Sequence, residues 1–445
     1  MVATDSQTIV NAVKRAGVVG AGGGGFPTHV KLSAKVDTIV ANGSECEPLL
    51  ATDKSMMMAR PDLLMDGMAL AMKATGAKRG IIAVKGHYKD VVKSLKAALP
   101  AGGSIELFLM DNYYPAGDEF LLVCDVTGRV IPEGGIPLDV GVVVSNVVTL
   151  MQVARAVSGV PVTSRAVTIT GEVKQPGVIM AAVGTSYGDI VKAAGGFTIS
   201  GAVLVDGGPM MGKLVDDLNI GIAKTTSGVI ALPPDHFIVT MKKRTITQEA
   251  KLSKAACCQC FRCTDLCPRH LLGHELYPHM TMRTINYQMP EPAAHVTSAF
   301  LCSQCGMCEM VACDIMRLSP KRVYADLRKR LVASGIKSPH RRKGFEVREP
   351  YSLRKFPIPQ MLKKLGLSDY DQKLAFRGES CATKVRVPLS RHTGAPSLAT
   401  VKKGDAVRLG DLVGEIPEEK LGARCHASIT GKVTAVTNEY VEITA

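Results

Sequence analysis

Tryptophan is absent from this chain of 445 residues, and phenylalanine and tyrosine make up only 4% of it. Single-stranded nucleic acid is bound by stacking bases on aromatic rings set among basic residues, and no such interleaved run occurs. No nucleic-acid partner is therefore expected, although 54 basic against 40 acidic residues leave a net charge of +14. Also missing is an apolar run of about eighteen residues, the length that crosses a bilayer. The best candidate, residues 140–153, is broken by Gly141, Ser145, Asn146 and Gln152 and reads as a buried strand followed by a helix, so no integral membrane span is expected. The start, Met1-Val2-Ala3-Thr4-Asp5, lacks the basic and apolar stretches of a secretion signal, which predicts a cytoplasmic protein. In that reducing compartment the 13 cysteines are expected to hold metal or carry redox chemistry, not to form disulfides.

What is present is a globular composition, 46% hydrophobic and 21% charged, which excludes wholesale disorder, a collagen-like fibre and a coiled coil. Its length suits roughly three domains. Ile9, Val10 and Val13 recur at helical spacing, with Asp5 or Ser6 as cap and Gly17 as terminator. Strand-like runs at 38–41, 80–84, 105–109 and 141–144 alternate with helical segments near 55–75, 88–98 and 146–158, the pattern of a parallel sheet flanked by helices. Past Pro161 come strands at 166–170 and 202–205, a turn at Lys174-Gln-Pro-Gly177 and a helix near 186–194, a separate β-rich module. Cysteine runs between helical stretches, a basic connector at roughly 317–360 and a β-module from Thr383 complete the chain, without a solenoid repeat. The expected domains are 1–160, 161–215, 250–330 and 376–445.

Cys257, Cys260, Cys263 and Cys267 are spaced C-x2-C-x2-C-x3-C and followed by Pro268, the run of bacterial two-cluster ferredoxins, whose fourth cysteine ligates the other cluster. A second run is then required, and Cys302, Cys305, Cys308 and Cys313 supply it. The spacing predicts two 4Fe-4S clusters, one on Cys257, Cys260, Cys263 and Cys313, the other on Cys302, Cys305, Cys308 and Cys267. The second run departs from the pattern: it ends in x4-C followed by Asp314, not x3-C-Pro. The alternative metal is zinc, whose four-thiolate sites pair two C-x2-C knuckles across a longer loop. Cys46, Cys124, Cys258, Cys381 and Cys425 are expected as small buried hydrophobic residues.

Gly20-Ala-Gly-Gly-Gly-Gly25 satisfies G-x-G-x-x-G, but a helix precedes it where the dinucleotide fingerprint needs a strand, and Phe26-Pro27 follows where it needs a helix start. A plain glycine turn is the competing reading. Lys31, and Asn42-Gly-Ser-Glu-Cys-Glu-Pro48 at the carboxyl end of the first expected strand, favour a ligand site. Together with Tyr114-Pro-Ala-Gly-Asp-Glu119 and Ser145-Asn-Val-Val-Thr149, these residues resemble the flavin- and NADH-binding domain of the respiratory complex I flavoprotein. They resemble the RnfC component of the Rnf electron-transport complex more closely. Thr170-Gly-Glu-Val173 and Gly207-Gly-Pro-Met-Met-Gly212 resemble the SLBB β-grasp domain of those proteins. His392-Thr-Gly-Ala-Pro396 and Cys425-His-Ala-Ser-Ile-Thr-Gly-Lys-Val433 resemble the barrel-sandwich module that RnfC proteins carry at their N-terminus, here placed at the C-terminus. That order is similar to the flavin/iron–sulfur cobalamin reductases of propanediol-utilisation microcompartments.

The resemblance implies a multidomain α/β plus β fold: a Rossmann-like FMN/NADH domain, an SLBB β-grasp module, a two-cluster ferredoxin-like helical domain and a C-terminal barrel-sandwich hybrid. By matching positions, Gly20, Ala21, Gly22 and Lys31 line the FMN phosphate and ribityl chain, and Asn42, Ser44, Glu45, Asn146 and Thr149 hold the ribityl chain and ring. Phe26 stacks on NADH, while Glu47 and Glu119 bond its hydroxyl or carboxamide groups. Ala21 stands where the complex I pattern has arginine, and Ser44 where it has aspartate.

The implied activity is NADH-dependent reduction of cob(III)alamin through cob(II)alamin to cob(I)alamin, for a B12-dependent enzyme of a bacterial microcompartment, with no acid–base catalytic residue. Implied partners are NADH, cobalamin or its protein carriers, and a shell protein or an adenosyltransferase. The D-x-H-x-x-G cobalamin signature is absent. Two alternatives stand beside this reading: an Rnf-like electron-transfer protein exchanging electrons between NADH and ferredoxin, and a zinc-stabilised scaffold. Ala427-Ser428 offers no lysine for a lipoyl or biotinyl carrier, which leaves the C-terminal module a docking or packing role. His392 and His426 read as hydrogen-bonded structural residues, and Met56-Met-Met58, Met65, Met68 and Met72 as helix core. Lys321-Arg322, Arg328-Lys-Arg330 and Arg341-Arg-Lys343 read as a solvated face, with attraction of an acidic partner as the alternative.

Overall fold

The computed structural model describes residues 5–287 and 293–445. Its first unit is a four-stranded sheet of β1 (Thr38–Gly43), β2 (Arg79–Lys85), β3 (Ile105–Met110) and, after the two-residue β4 (Tyr113–Tyr114), β5 (Val142–Asn146). All pairings are parallel, in the order β3-β2-β1-β5. Side chains alternate across a strand, so Ile39 and Ala41 face one layer and Val40 the other. Helices Ser6–Arg15, Pro61–Thr75, Lys89–Ala98 and Val147–Val157 cover the first face. On the second, helix Glu119–Thr127 is joined by Leu271 and Leu272 of the cysteine region and Tyr351 of the connector. The helical reading of 55–75 splits in two, Thr52–Ala59 and Pro61–Thr75, because a proline suits the first turn of a helix but not its interior. Met57, Met65, Met68 and Met72 are core as expected, whereas Met58 is exposed.

The second unit is a six-stranded sheet built on β6 (Ser164–Gly171), β7 (Gly177–Ala182), β8 (Val203–Asp206), β9 (Lys213–Leu214) and β10 (Gly228–Leu232). After β11 (Phe356–Pro357), which pairs with β4, strand β12 (Phe376–Ser380) completes the order β12-β7-β6-β10-β8-β9. The sheet thus extends past residue 215 and takes in a strand from beyond the cysteine region. The C-terminal unit has two small sheets packed around Val387, Val413, Val433 and Ile443. Its hairpin tip is not free to swing: Ala427 is buried and the Ser428 hydroxyl donates to the Val183 carbonyl of the second unit.

Between these units the chain forms the helices Ile246–Ala256, Pro278–Tyr287 and Pro320–Ala333 around the cysteines. The basic connector is more fastened than solvated. Arg322 donates to the carbonyls of Met241 and Arg244, Lys321 to that of Met210, and Arg342 pairs with the buried Glu133. Among the described residues no helix is long and apolar enough to cross a membrane.

Candidate functional site

A cavity of about 380 Å3 opens where the glycine loop meets the carboxyl ends of β1 and β5. Nine of the residues expected to bind flavin or nucleotide line it: Gly20, Gly22, Phe26, Lys31, Asn42, Glu45, Glu47, Glu119 and Asn146. Ala21, Ser44 and Thr149 lie behind its wall, all buried. Thr149 accepts the Ala21 amide at 2.8 Å, and Ser44 donates its own amide to Asn42 while its hydroxyl has no partner.

The glycine loop is held by its carbonyls. Arg165, buried in β6, donates to Ala21 O at 2.6 Å. Thr393 of the C-terminal unit donates its hydroxyl to Gly24 O at 2.7 Å and its amide to Gly25 O at 2.9 Å. The amides of Gly22, Gly23 and Gly24 find no acceptor among the described residues, and a Cβ at Gly23 or Gly24 would meet nothing. A loop whose carbonyls are tied down behind it and whose amides are free is an anion cradle, and it fits the phosphate of FMN. Neither Arg165 nor Thr393 is signalled by local sequence.

The floor of the cavity is acidic. Glu45, held in left-handed backbone (φ 27), accepts the amides of Asp53 and Lys54, and burial, aided by Asp53, pushes its carboxyl up to about 8. Burial also raises Asp53, which accepts from Asn146 at 2.6 Å. Glu47 accepts the amides of Met210 and Met211 at 3.0 and 2.8 Å, so the loop of the second unit closes over it. Lys31 pairs with Glu119 at 2.8 Å. Both carboxylates expected to meet NADH therefore already have protein partners.

The eight cysteines of the two runs gather as two sets of four, crossing between the runs. Cys257, Cys260, Cys263 and Cys313 line a cavity of about 150 Å3; Cys267, Cys302, Cys305 and Cys308 line a narrower one. The extra residue of the second run is taken up by a π-helical turn, Met307–Ala312, which brings Cys313 round to the first set. Burial and the crowding of neighbouring thiols raise Cys263 to about 12 and Cys308 further, so cationic iron has four protons to displace at each site. Four thiols around a shared volume fit a cubane cluster. Gln259 and Gln304 donate side-chain amides to the sulfurs of Cys257 and Cys302 at 3.1 and 3.3 Å.

Cys305 lines the flavin cavity as well as its own, and Tyr114 Oη donates to Cys305 O at 2.6 Å. Of the remaining cysteines Cys425 is buried and Cys46 and Cys124 half-buried. Cys258 and Cys381 are exposed, against expectation: Cys258 sits on the outer side of the first cysteine loop, and Cys381 follows the edge strand β12. His392 bonds Ala395 O at 3.1 Å, a structural role, while His426 is buried with Nδ1 unpartnered.

Residues 13–155 match the Nuo51 FMN-binding domain, 166–214 the SLBB domain, 256–316 the 4Fe-4S dicluster domain and 371–445 the RnfC barrel sandwich hybrid domain. The multidomain α/β plus β architecture expected from sequence is thereby shown, and flavin and iron–sulfur electron transfer is the chemistry of its parts. The NAD+-reducing NiFe hydrogenase in its H2-reduced state shares the fold at a TM-score of 0.50 and 20% identity, over 76% of this chain and 69% of that one. The RnfC-type component of the Na+-translocating ferredoxin:NAD+ oxidoreductase complex of Acetobacterium woodii is 35% identical over 274 residues, 60% of this chain and 59% of its own. Two relatives match nearly end to end. The cobalamin reductase PduS of Citrobacter freundii is 40% identical over 99% of this chain and 97% of its own, and that of Salmonella typhimurium 38% over 98% and 96%. With every unit of the fold included in that likeness, the chain belongs to the PduS cobalamin reductase family of oxidoreductases.

Proposed function

We propose that this chain is an NADH-dependent reductase that uses FMN and two 4Fe-4S clusters to reduce cob(III)alamin stepwise through cob(II)alamin to cob(I)alamin, in a bacterial microcompartment. The observation that carries this reading is Cys305, at once a wall of the flavin cavity and a member of a four-cysteine set. When bound, FMN takes up electrons in pairs and releases them singly, and the clusters carry them one at a time. The protein's own residues supply position. The free amides of Gly22, Gly23 and Gly24 receive the phosphate, with Lys31 at the same cavity as the cation. Asn42, Asn146 and the raised carboxyl of Glu45 face the ribityl chain and ring, and Ala21, Ser44 and Thr149 brace that wall. Phe26 offers a ring face to the nucleotide. Glu47 and Glu119 reach it by giving up Met210, Met211 and Lys31, so the loop of the second unit moves when NADH enters. Tyr114 fixes the Cys305 loop against the cavity wall.

Family membership supports cobalamin, free or on a protein carrier, as the acceptor. The A. woodii relative favours a second reading, exchange of electrons with ferredoxin, over the 60% of the chain that it matches. Anaerobic reconstitution followed by NADH titration decides between them. Flavin bleaching, then cluster paramagnetism, then cob(III)alamin reduction are expected in that order. Flavin that bleaches beside unchanged corrin overturns the substrate, and flavin that NADH leaves yellow overturns the nucleotide.

A further inference from the structure

The two cysteine sets stand in series from the flavin cavity. Cys305 places its set against that cavity, and Cys263 of the other set is close enough to Cys308 to raise its thiol, although burial is the larger cause. The second set is therefore the outer one, and its surroundings differ from the rest of the surface. Phe261, Ile315 and Met316, with 50%, 79% and 39% of their surface exposed, stand together at the mouth of the Cys257/Cys260/Cys263/Cys313 cavity. Single exposed apolar side chains are ordinary; three around one opening mark a contact surface.

The sequence departs from the ferredoxin pattern to build this collar. Asp314-Ile315-Met316 follows Cys313 where the pattern has proline. Asp314 is anchored by Arg262 at 2.8 Å and by Lys364, which leaves Ile315 turned outward. Phe261 holds left-handed backbone (φ 61), ordinarily a glycine position, and rests edge-on against His279 at 4.5 Å between centroids. Nearby charge is paired inwards: Asp314 takes both Arg262 and Lys364, and Arg317 stacks on Phe237 at 4.6 Å. An acidic protein would be steered by unpaired basic groups. An apolar rim with its charges internally paired suits an uncharged, flat ligand with apolar faces and a fringe of amides.

Resting on the cobalamin reading, we propose that the corrin docks on the collar of Phe261, Ile315 and Met316 and receives its electrons there, beside the outer cysteine set. The test uses the full chain loaded with iron, sulfide and FMN. Equilibrium dialysis against cyanocobalamin without NADH measures binding free of turnover. Ile315→Glu, an exposed substitution, is expected to raise the dissociation constant about ten-fold, with iron and flavin content unchanged. Leu353→Glu, at a connector residue 84% exposed, leaves binding as in the parent chain. Equal binding by the parent and Ile315→Glu overturns the site. No binding by the parent overturns the corrin as occupant, as does an Ile315→Glu effect confined to reduction of an acidic ferredoxin. Corrin that docks in an Ile315-dependent way but is not reduced after NADH addition leaves the collar standing and sinks the reductase reading instead.

Discussion

Both cysteine runs follow one local plan, C-x-Q-C-x-x-C, and end in opposite surroundings. In each, the glutamine is left-handed (φ 52 at Gln259, 62 at Gln304), as is the residue after the second cysteine (φ 61 at Phe261, 82 at Gly306). Two left-handed residues turn the loop around its cavity in both cases. The difference lies in what covers that second residue. At Gly306 a Cβ would come within 3.2 Å of Met210 O and 3.7 Å of Lys321 Nζ, because the second unit and the basic helix close over the loop. At Phe261 the same position faces solvent, and a large apolar side chain occupies backbone that disfavours it. Glycine where protein covers the loop and phenylalanine where nothing does separates an inner, walled site from an outer site built to be touched.

The sharpest way to break this comparison is to remove one ligand from each set. Cys313→Ser is expected to abolish corrin reduction while NADH still reduces the inner iron. Cys267→Ser is expected to abolish corrin reduction and also to strand the outer iron, unreduced by NADH although flavin bleaches normally. Paramagnetic spectra of the two variants after NADH addition check both statements. An outer centre reduced at the parent rate in Cys267→Ser would mean that the sets do not act in series.

Much of this arrangement is legible in local sequence, because its causes are local. Ile39 to Val40 to Ala41 alternate between two covered faces, and cysteine spacing depends only on neighbouring turns. Strand β10, absent from the expected boundaries, has a visible signal in its apolar run Gly228-Val-Ile-Ala-Leu232. The break before Pro61 is visible in the same way. Other features depend on contacts that no local pattern contains. Thr393 reaches Gly24 across 369 residues, Glu47 meets Met211 across 164, and Arg165 meets Ala21 across 144. Their meeting is a property of how the units pack, so the carboxylate of Glu47 reads from sequence as free for a nucleotide when it is already bonded.

A smaller effect tests the covering of the inner loop. Gly306→Ala adds a Cβ to left-handed backbone against the Met210 carbonyl and is expected to cost about 1–2 kcal/mol of stability. Phe261→Ala leaves the outer backbone as it is and removes a half-exposed ring, which is expected to cost less than about 1 kcal/mol. Thermal unfolding of the two loaded variants under one set of conditions gives the ranking. Equal losses would mean that the two loops are equally covered, contrary to the contrast drawn between them.

The least effect is expected at the far end of the flavin cavity, and it asks whether the inner site depends on a unit that touches no cysteine of either run. Thr393→Val keeps the amide bond to Gly25 and deletes the hydroxyl bond to Gly24. Freed of that bond, the Gly24 carbonyl turns more easily towards the cavity, and the neighbouring amide turns away from the phosphate position. One neutral hydrogen bond is worth about 1 kcal/mol, so the dissociation constant for FMN should rise roughly five-fold. Iron content and both paramagnetic signals after chemical reduction should remain those of the parent, since the cysteine sets are held by Tyr114, Asp314 and the basic helix, not by the C-terminal unit. Flavin titration beside iron analysis separates the two quantities. Loss of iron together with flavin would mean that Thr393 supports the whole assembly and does not position the glycine loop alone.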